Sequence, residues 1–202
     1  EKIWDACGVS GSIRDAPVVF LICADVRRLA RVLDHLDYNH CLKHGYGYAI
    51  KLLSIMDASF VAENMTMAAE CLNLRSVFVG SALANDKVVK ALKLPKGVLP
   101  LTLLCIGYPD EQPPTRPRWA LASVFHNDHY EDSTEQEMEA FLEHMDHELQ
   151  REGYYQKYGV RGPDYRYSEH IKSKTALRLG KRDDAKTISV VKAMGFLPSE
   201  AT

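Results

Sequence analysis

The chain lacks the cysteine patterns that mark disulfide frameworks and zinc knuckles. Its five cysteines are odd in number, lie far apart and form no C-x-x-C pair. Disulfide frameworks need paired cysteines and zinc knuckles need closely spaced ones, so the pattern argues against both classes. This usage fits a reducing compartment, and we predict a cytoplasmic protein. The cysteines are Cys7, Cys23, Cys41, Cys71 and Cys105.

Long hydrophobic runs and a strong charge of one sign are also missing. No apolar run approaches the roughly 18 uninterrupted residues of a membrane span. A net charge of -2 over 202 residues gives no general attraction to nucleic acid or to an anionic membrane. We therefore expect neither partner, and any anion site must be local. The length and a hydrophobic fraction of 46% predict a single domain over residues 1–202.

The front of the chain has neither feature of a secretory signal peptide. EKIWDACG carries no basic n-region and no apolar h-region. It also has no initiator methionine. We therefore expect a processed or truncated product, or a sequence that is missing its front.

The stretch from Tyr46 to Cys71 predicts one long helix that is apolar nearly all round. After Gly47 it contains neither proline nor glycine, and it is rich in Ala, Leu, Met, Glu and Lys. Such a helix must be buried in a large core or against another subunit. Asp57 and Asn64 share a face of it, and we expect them to bond to neighbouring backbone or to a second subunit rather than to act catalytically. The two apolar sets are Ile50, Leu53, Phe60, Val61, Met67, Ala68 and Cys71, and Leu52, Ile55, Met56, Ala62, Met65, Ala69 and Leu72.

Shorter elements are predicted on both sides of this helix. The β-branched and apolar run APVVFLICA predicts a strand over Ala16–Ala24 that is covered on both faces. Asp25 is placed to cap the helix that follows it. The other predicted elements are a helix over 26–36, a short helix over 86–94, a buried strand over Val98–Gly107, and helices over 134–151, 169–179 and 183–194.

Beyond Asn73 the pattern changes from a helix to an extended segment that ends in a turn at Gly80. Glycine permits unusual backbone dihedrals, which favours a turn there. The string LNLRSVFVGSALAND resembles the segment of the FMN-dependent nitroreductase family in which a long central helix delivers a G-V-Y-I-G-G-type turn to the flavin. The resemblance implies that backbone groups of the turn meet the flavin ring; the alternative is a plain connection between a helix and an apolar strand. The turn residues are Phe78, Val79, Gly80 and Ser81.

A proline-rich loop carries the second resemblance. LKLPKGVLPLTLLCIGYPDEQPPTRPRWAL is similar, nearly position for position, to a segment of the family's flavin reductase branch. Its prolines stiffen the loop, and Arg116 and Arg118 flank Pro117, so both guanidinium groups have little entropy left to lose. Paired arginines suit bidentate recognition of phosphate, and the resemblance implies that these two hold the FMN phosphate. The alternative is a solvated proline–arginine loop.

Two H-x-x-H pairs raise the question of a metal site. They are His126 with His129, and His144 with His147. Zinc takes three or four ligands, and neither pair has an evident further partner in the sequence. We predict no metal site. The sequence also offers no Ser/His/Asp or Cys/His set, so no catalytic side chain is predicted.

Residues 153–202 resemble the same branch of the family. GYYQKYGVRGPDYRYSEHIK is similar to the branch's Y-Y…W-S-D-H-I segment, and the resemblance implies an extension that packs near the flavin site. Arg161 and Arg166 lie in this extension but not at the family's arginine positions. We therefore predict at most a modest preference for NADPH over NADH.

Together these segments resemble the family from Ile13 to Phe196. The resemblance implies an α+β fold in which helices flank a mostly antiparallel sheet, and a homodimer with the long central helix at its interface. It also implies FMN as the cofactor, NAD(P)H as the co-substrate, and ping-pong hydride transfer to nitroaromatics, quinones or related small-molecule acceptors.

The front of the chain departs from this pattern. Nothing in residues 1–15 matches the R-x-S-x-R-like motif with which family members contact phosphate and ribityl. The alternative prediction is therefore a non-catalytic dimeric flavin-binding or scaffold protein that has lost the N-terminal part of the FMN site.

Overall fold

A three-stranded antiparallel sheet forms the centre of the first of two compact units. The computed structural model describes residues 2–8, 14–159 and 161–198. The first unit comprises residues 1–110 with 182–202, and the second comprises residues 111–181. Helices accompany the antiparallel sheet, which confirms the predicted α+β class. The prediction of a single domain stays a prediction. The strands are β1 (Val18–Asp25), β2 (Arg75–Val79) and β3 (Val98–Gly107), in the spatial order β1-β3-β2.

Strand β3 is the central and most deeply buried strand. Leu103 and Leu104 have no exposed surface. The strand pairs with β1 from Val98 to Ile106, with a register shift between Ile22 and Cys23, and with β2 from Leu103 to Gly107. Its predicted bounds are confirmed, because strong local signals stand at both ends: Gly97 has a φ of +91°, and Pro109 follows the strand closely.

Strand β1 is an edge strand that is only partly covered. Val18 is 44% exposed and Phe20 is 41% exposed, whereas Ile22 and Ala24 are buried. The prediction that both faces are covered is therefore wrong for the first half of the strand. An apolar run shows what a strand can bury, but its cover depends on which elements pack against it.

The long helix α3 (Tyr48–Cys71) packs against the sheet through a stripe of small residues. Ala62 and Ala69 are buried in one cluster with Ile22 and Leu104. Asn73 has a φ of +59°, and this left-handed residue follows the end of the helix where the break is predicted. Among the residues described, no helix is long and apolar enough to cross a membrane. Six large apolar side chains of α3 are at least half exposed: Leu52, Leu53, Met56, Phe60, Val61 and Met67.

The first unit also contains the helices α1 (Lys2–Cys7), α2 (Arg27–His35) and α4 (Asp86–Ala91). Helix α1 was not predicted, and it places Trp4 in a cluster with Leu103. The departure from the family motif falls partly on residues 9–13, which lie outside the described residues.

Two predictions about helix ends in the first unit have clear outcomes. The Asp25 carboxylate accepts the Arg28 backbone N–H at 3.1 Å, as a capping side chain does, but the N-cap position of α2 is Val26, one residue later than predicted. Helix α4 is shorter than predicted. Lys93 has a φ of +53°, and this left-handed residue ends the helix before Pro95 is reached.

The second unit is helical over much of its length. Helix α5 (Glu135–Glu152) begins with a capping box, in which Thr134 accepts the Glu137 backbone N–H and the Glu137 carboxylate accepts the Thr134 N–H. Helices α6 (Tyr154–Gly159) and α7 (Tyr167–Lys174) follow. The side chain of Tyr155 in α6 is buried.

The last predicted helix boundary is wrong. The break between the final two helices lies at Thr175, and α8 (Leu177–Ala193) runs through Gly180. A glycine inside a helix costs about 1 kcal/mol relative to alanine, which is small enough for tertiary packing to offset. The C-terminal end of α8 packs Val190 and Val191 against the cluster that contains Met194 and Phe196.

Candidate functional site

The predicted flavin-facing turn lies at an edge of the sheet. In the spatial order of the described strands, β2 has β3 on one side and no strand on the other. Phe78 pairs with Leu104 and Val79 with Leu103, after which the chain makes a 3-10 turn over Gly80–Ala82. Phe78, Gly80 and Ser81 are exposed, and Ala82 is fully buried. The turn therefore has exposed residues at Gly80 and Ser81, next to Ala82, which is anchored in the core.

Hydrogen bonds from behind hold this turn in place. The Thr102 hydroxyl donates to the Val79 carbonyl at 3.2 Å, and the Asn85 side-chain amide donates to the Ser81 carbonyl at 2.9 Å. The Leu83 N–H donates to the Gly80 carbonyl at 3.0 Å. Bonds of this kind reduce the reorganisation that a ligand would otherwise have to drive.

The conformation of Gly80 differs from the prediction. Its φ lies outside the left-handed region, so this backbone position does not require glycine. A Cβ added here would meet no atom within 4 Å. The backbone at Gly80 is therefore open to close approach by another group.

Arg116 is held by a carboxylate within its own unit. Its Nε–H and Nη2–H donate to the two carboxylate oxygens of Glu152 at 3.0 and 2.8 Å. The Glu152 side chain is only 8% exposed, and the Arg116 side chain is 30% exposed. The hydrogen bonds from Arg116 lower the pKa of Glu152, and the same bonds raise the pKa of Arg116. Part of the Arg116 fork is therefore already engaged.

Arg118 is more open than Arg116. Its side chain is exposed, and its Nη1–H donates to the neighbouring Pro117 carbonyl at 3.1 Å. Across the part of the chain that the structure describes, no carboxylate pairs with it. Of the two predicted arginines, Arg118 thus has the larger share of its donors available to an anion.

A second acid–base contact joins the start of the proline-rich loop to α6. Glu111 accepts from the Lys157 ammonium at 3.0 Å and from the Tyr158 hydroxyl at 2.9 Å. The hydrogen bond from Lys157 is the main reason that the pKa of Glu111 is lowered. The guanidinium carbon of Arg116 lies 4.6 Å from the ring centre of Tyr154 and 5.2 Å from that of Tyr158.

The segment from Tyr154 to His170, where the nicotinamide donor is predicted to bind, contains a packed group of aromatic side chains. Its two arginines lie outside this group. Tyr155 is buried, and burial is the main cause that raises its pKa to about 12. Its ring lies 5.0 Å from that of Tyr165 and 5.2 Å from that of His170. Arg161 and Arg166 are both exposed, and the Arg161 guanidinium lies 5.1 Å from the Tyr165 ring centre.

The two histidine pairs have other neighbours. His126 lies 4.8 Å from the ring of Tyr130, His129 lies 3.1 Å from Glu131, and His147 lies 3.0 Å from Glu148. Within residues 2–8, 14–159 and 161–198, no three His, Cys, Asp or Glu side chains are grouped as a metal site would require.

Several known proteins are similar to this chain. An oxygen-insensitive NADPH nitroreductase of Salmonella typhimurium is 32% identical over 174 residues, which is 85% of this chain and 67% of the relative. An FMN reductase [NAD(P)H] of Bacillus subtilis is 32% identical over 148 residues, covering 72% of this chain and 59% of the relative. The solved structure of a hypothetical oxidoreductase of Bacillus subtilis superposes with a TM-score of 0.75 and 26% identity, covering 98% of this chain and 77% of that one. No family model matches.

The identity of 32% with the Salmonella relative, over two thirds of that protein's length, is sufficient to assign the family. The chain belongs to the FMN-dependent nitroreductase family. The names of both relatives are those of the flavin reductase and nitroreductase branch that the motifs predict. This nitroreductase-family chain spans 67% and 59% of the lengths of the two curated relatives.

The residues present fit the FMN that this nitroreductase family is named for. A Cβ at Gly80 would meet no atom within 4 Å, so the backbone of the turn is open to close approach. Arg118 offers exposed donors suited to a phosphate, and Arg116 keeps those N–H groups that Glu152 does not accept. Each segment, taken by itself, presents groups of a kind that FMN can contact.

Sequence reasoning missed Glu152 and the tyrosines around Arg116. Glu152 is 36 residues from its partner, and no spacing rule joins a helix C-terminus to a distant loop. The sequence shows only that Glu152 directly precedes Gly153 and two tyrosines. These residues lie at the start of the extension that is predicted to pack near the flavin site. That signal is too common to identify a partner for an arginine.

Proposed function

We propose that this nitroreductase-family chain is an FMN-dependent NAD(P)H oxidoreductase that reduces nitroaromatics, quinones or related acceptors. The turn at Gly80 carries the proposal, because it combines an exposed sheet edge with open space beside an unstrained glycine. FMN, when bound, supplies the hydride-transfer chemistry. The names of the relatives are those of reductases, which does not favour the non-catalytic alternative.

The protein's own contribution is binding and orientation. Backbone groups of Phe78–Ser81 are proposed to meet the flavin ring, since their carbonyls and the strand behind them are held in place. Arg118 and Arg116 are proposed to bind the phosphate, since the proline-rich loop presents both with few conformations to lose. No side chain is assigned a proton-transfer role.

We also propose that the chain forms a homodimer through α3. The exposed apolar side chains of this helix include Phe60 at 59% and Met67 at 60%. Contiguous apolar surface of this kind is unusual on a monomer and is typical of an interface. A second copy of the chain is the occupant, because a helix with apolar residues on opposite faces needs cover beyond its own sheet.

The proposed location is the reducing cytoplasm. All five cysteines are free thiols in the structure, and Cys7 and Cys105 are buried side by side in one apolar cluster. An oxidising compartment would favour pairing of nearby thiols.

Flavin titration of the full chain tests the proposed function. FMN should bind at least about a hundredfold more tightly than riboflavin, because charge-assisted bonds to a phosphate contribute about 1.5 to 3 kcal/mol each. The FMN complex should then oxidise NADPH or NADH in the presence of a nitroaromatic or quinone. Failure to bind FMN would contradict the cofactor assignment, and binding without turnover would establish the non-catalytic alternative instead.

A further inference from the structure

The carboxylate of Glu152 grips one defined edge of Arg116. Its two oxygens accept from Nε and Nη2, which is the side-on fork that arginine most often offers to a phosphate. Glu152 is the last residue of α5, and its side chain is 92% buried by neighbouring atoms, being only 8% exposed. That edge of Arg116 is therefore closed to a ligand while the pair persists.

One side of the Arg116 guanidinium is lined by two tyrosines, whose ring centres lie 5.2 Å from each other. The rings of Tyr154 and Tyr158 lie 4.6 and 5.2 Å from the guanidinium carbon. Tyr158 is fixed in turn, because its hydroxyl donates to Glu111 at 2.9 Å. The N–H groups that remain for a ligand are those of Nη1 and the outer N–H of Nη2.

We propose that Glu152 is a positioning residue that fixes Arg116 so that it meets the FMN phosphate end-on, through Nη1 and the outer Nη2 N–H. This inference rests on the proposed function, since it assumes that Arg116 contacts the phosphate. An arginine side chain carries about 2 kcal/mol of rotamer entropy, and a fixed guanidinium has less of it to lose on binding.

Electrostatic repulsion between Glu152 and the phosphate would by itself have the opposite effect on FMN binding. Glu152 is negative at neutral pH like any ordinary glutamate, and the bonds from Arg116 lower its pKa further. A negative charge near an anion site repels phosphate, so neutralising Glu152 would tighten FMN binding if charge alone mattered. Loss of positioning weakens binding instead.

The first experiment compares FMN and riboflavin binding by the wild-type chain and by Glu152→Gln. Glutamine keeps the shape of the side chain but cannot accept both arginine N–H groups. FMN binding should weaken about tenfold, the order expected when a contact group loses its fixed orientation. Riboflavin binding should not change, because riboflavin has no phosphate. The matched control is Glu143→Gln, which removes the same charge from an exposed position of α5 and should change neither affinity.

Three outcomes overturn the proposal. Tighter or unchanged FMN binding by Glu152→Gln shows that Glu152 acts by charge or not at all. Equal weakening of FMN and riboflavin binding shows a general structural role. A wild-type chain that binds FMN no more tightly than riboflavin shows that the phosphate contact of the proposed function is itself wrong, which is a separate failure.

A second comparison asks whether Glu152 acts through Arg116. In the Arg116→Ala background, adding Glu152→Gln should leave the ratio of FMN to riboflavin affinity unchanged, because the residue to be positioned is gone. A further loss in that ratio would overturn the proposal. The double variant removes both charges of the pair, so no unpaired charge is left buried and the variant is expected to fold.

A measurement on the wild-type chain needs no variant to fold. The Arg116 Nε–H should exchange slowly with solvent, with and without FMN, because the partly buried Glu152 accepts it in both states. Rapid exchange in either state would show that the pair does not persist and would overturn the proposal.

Discussion

At the scale of single residues, Gly80 is a position where a substitution should affect ligand binding without affecting the stability of the fold. Its φ is compatible with any residue, and a Cβ would meet no atom within 4 Å. A larger side chain should therefore be neutral for the fold and should occupy the space proposed for the flavin ring.

We expect Gly80→Val to abolish FMN binding and to leave the melting temperature unchanged. Calorimetry and flavin titration measure the two quantities on the same sample. Lys87→Val is a suitable control, because it places the same side chain at an exposed position outside the turn. Full FMN binding by Gly80→Val would contradict the assignment of the turn.

The two arginines differ in what they do for the fold. Arg118→Ala should weaken FMN binding by about 10- to 100-fold and leave stability unchanged. Arg116→Ala should also weaken FMN binding, and it should lower the free energy of unfolding by about 2 kcal/mol because Glu152 is left buried without its partner. Binding titrations and urea unfolding of both variants provide the comparison, with exposed Arg31→Ala as the control.

The acid dependence of the Arg116→Ala effect has a definite sign. Arg116 lowers the pKa of Glu152, so the pair stabilises the fold above the ordinary glutamate pKa of about 4.3 and loses this effect as the pH falls through the lowered value. The stability deficit of Arg116→Ala should therefore shrink as the pH falls below about 4.3. A deficit that is constant from neutral to acid pH would show that packing, not the ion pair, is responsible.

At the scale of elements, α3 has two roles that its sequence does not distinguish. Ala62 and Ala69 meet the sheet, whereas large side chains such as Phe60 and Met67 lie on exposed surface. The prediction of a helix apolar nearly all round is confirmed. The sequence did not predict which face of the helix packs against the sheet of the same chain. Helical periodicity does not distinguish between two apolar faces.

Phe60→Asp and Met67→Asp should each convert the proposed dimer into a folded monomer. Both side chains are about 60% exposed in the chain, so a charge there should not disturb its own core. Light scattering gives the mass, and circular dichroism shows that the fold is retained. Val32→Asp is the matched control, since Val32 is 56% exposed on α2. A dimer mass for both α3 variants would refute the proposed interface.

At the scale of the whole molecule, we propose that the preference for one nicotinamide donor depends on the two arginines that lie outside the aromatic group of the second unit. Arg161 and Arg166 are both exposed. A single exposed ion contact contributes up to about 1 kcal/mol, so a preformed and highly selective phosphate site is not expected.

We therefore expect the protein to prefer NADPH over NADH by no more than about tenfold in kcat/KM. Steady-state rates with both donors measure this ratio. Arg161→Ala with Arg166→Ala should bring it close to one, and exposed Lys172→Ala should leave it unchanged. A thousandfold preference for NADPH would reveal a preorganised site elsewhere, and exclusive use of NADH would show that both arginines are merely solvated.

The sequence by itself determined the features that local chemistry controls. Strand β3 has its predicted bounds, Asp25 accepts a backbone N–H from the first turn of α2, and α3 ends before Asn73. Glycine, proline and short polar side chains act within a few residues of themselves. The motifs around Gly80 and Arg116 also identified the family.

Only the tertiary structure decided the features that depend on distant partners. Glu152 reaches Arg116 across 36 residues, Gly180 continues α8 instead of ending it, and the side chain of Tyr155 in α6 is buried. Local propensities differ by about 1 kcal/mol or less, whereas burial and an ion pair between distant segments contribute as much or more. The fold therefore overrides local preference wherever such long-range contacts form.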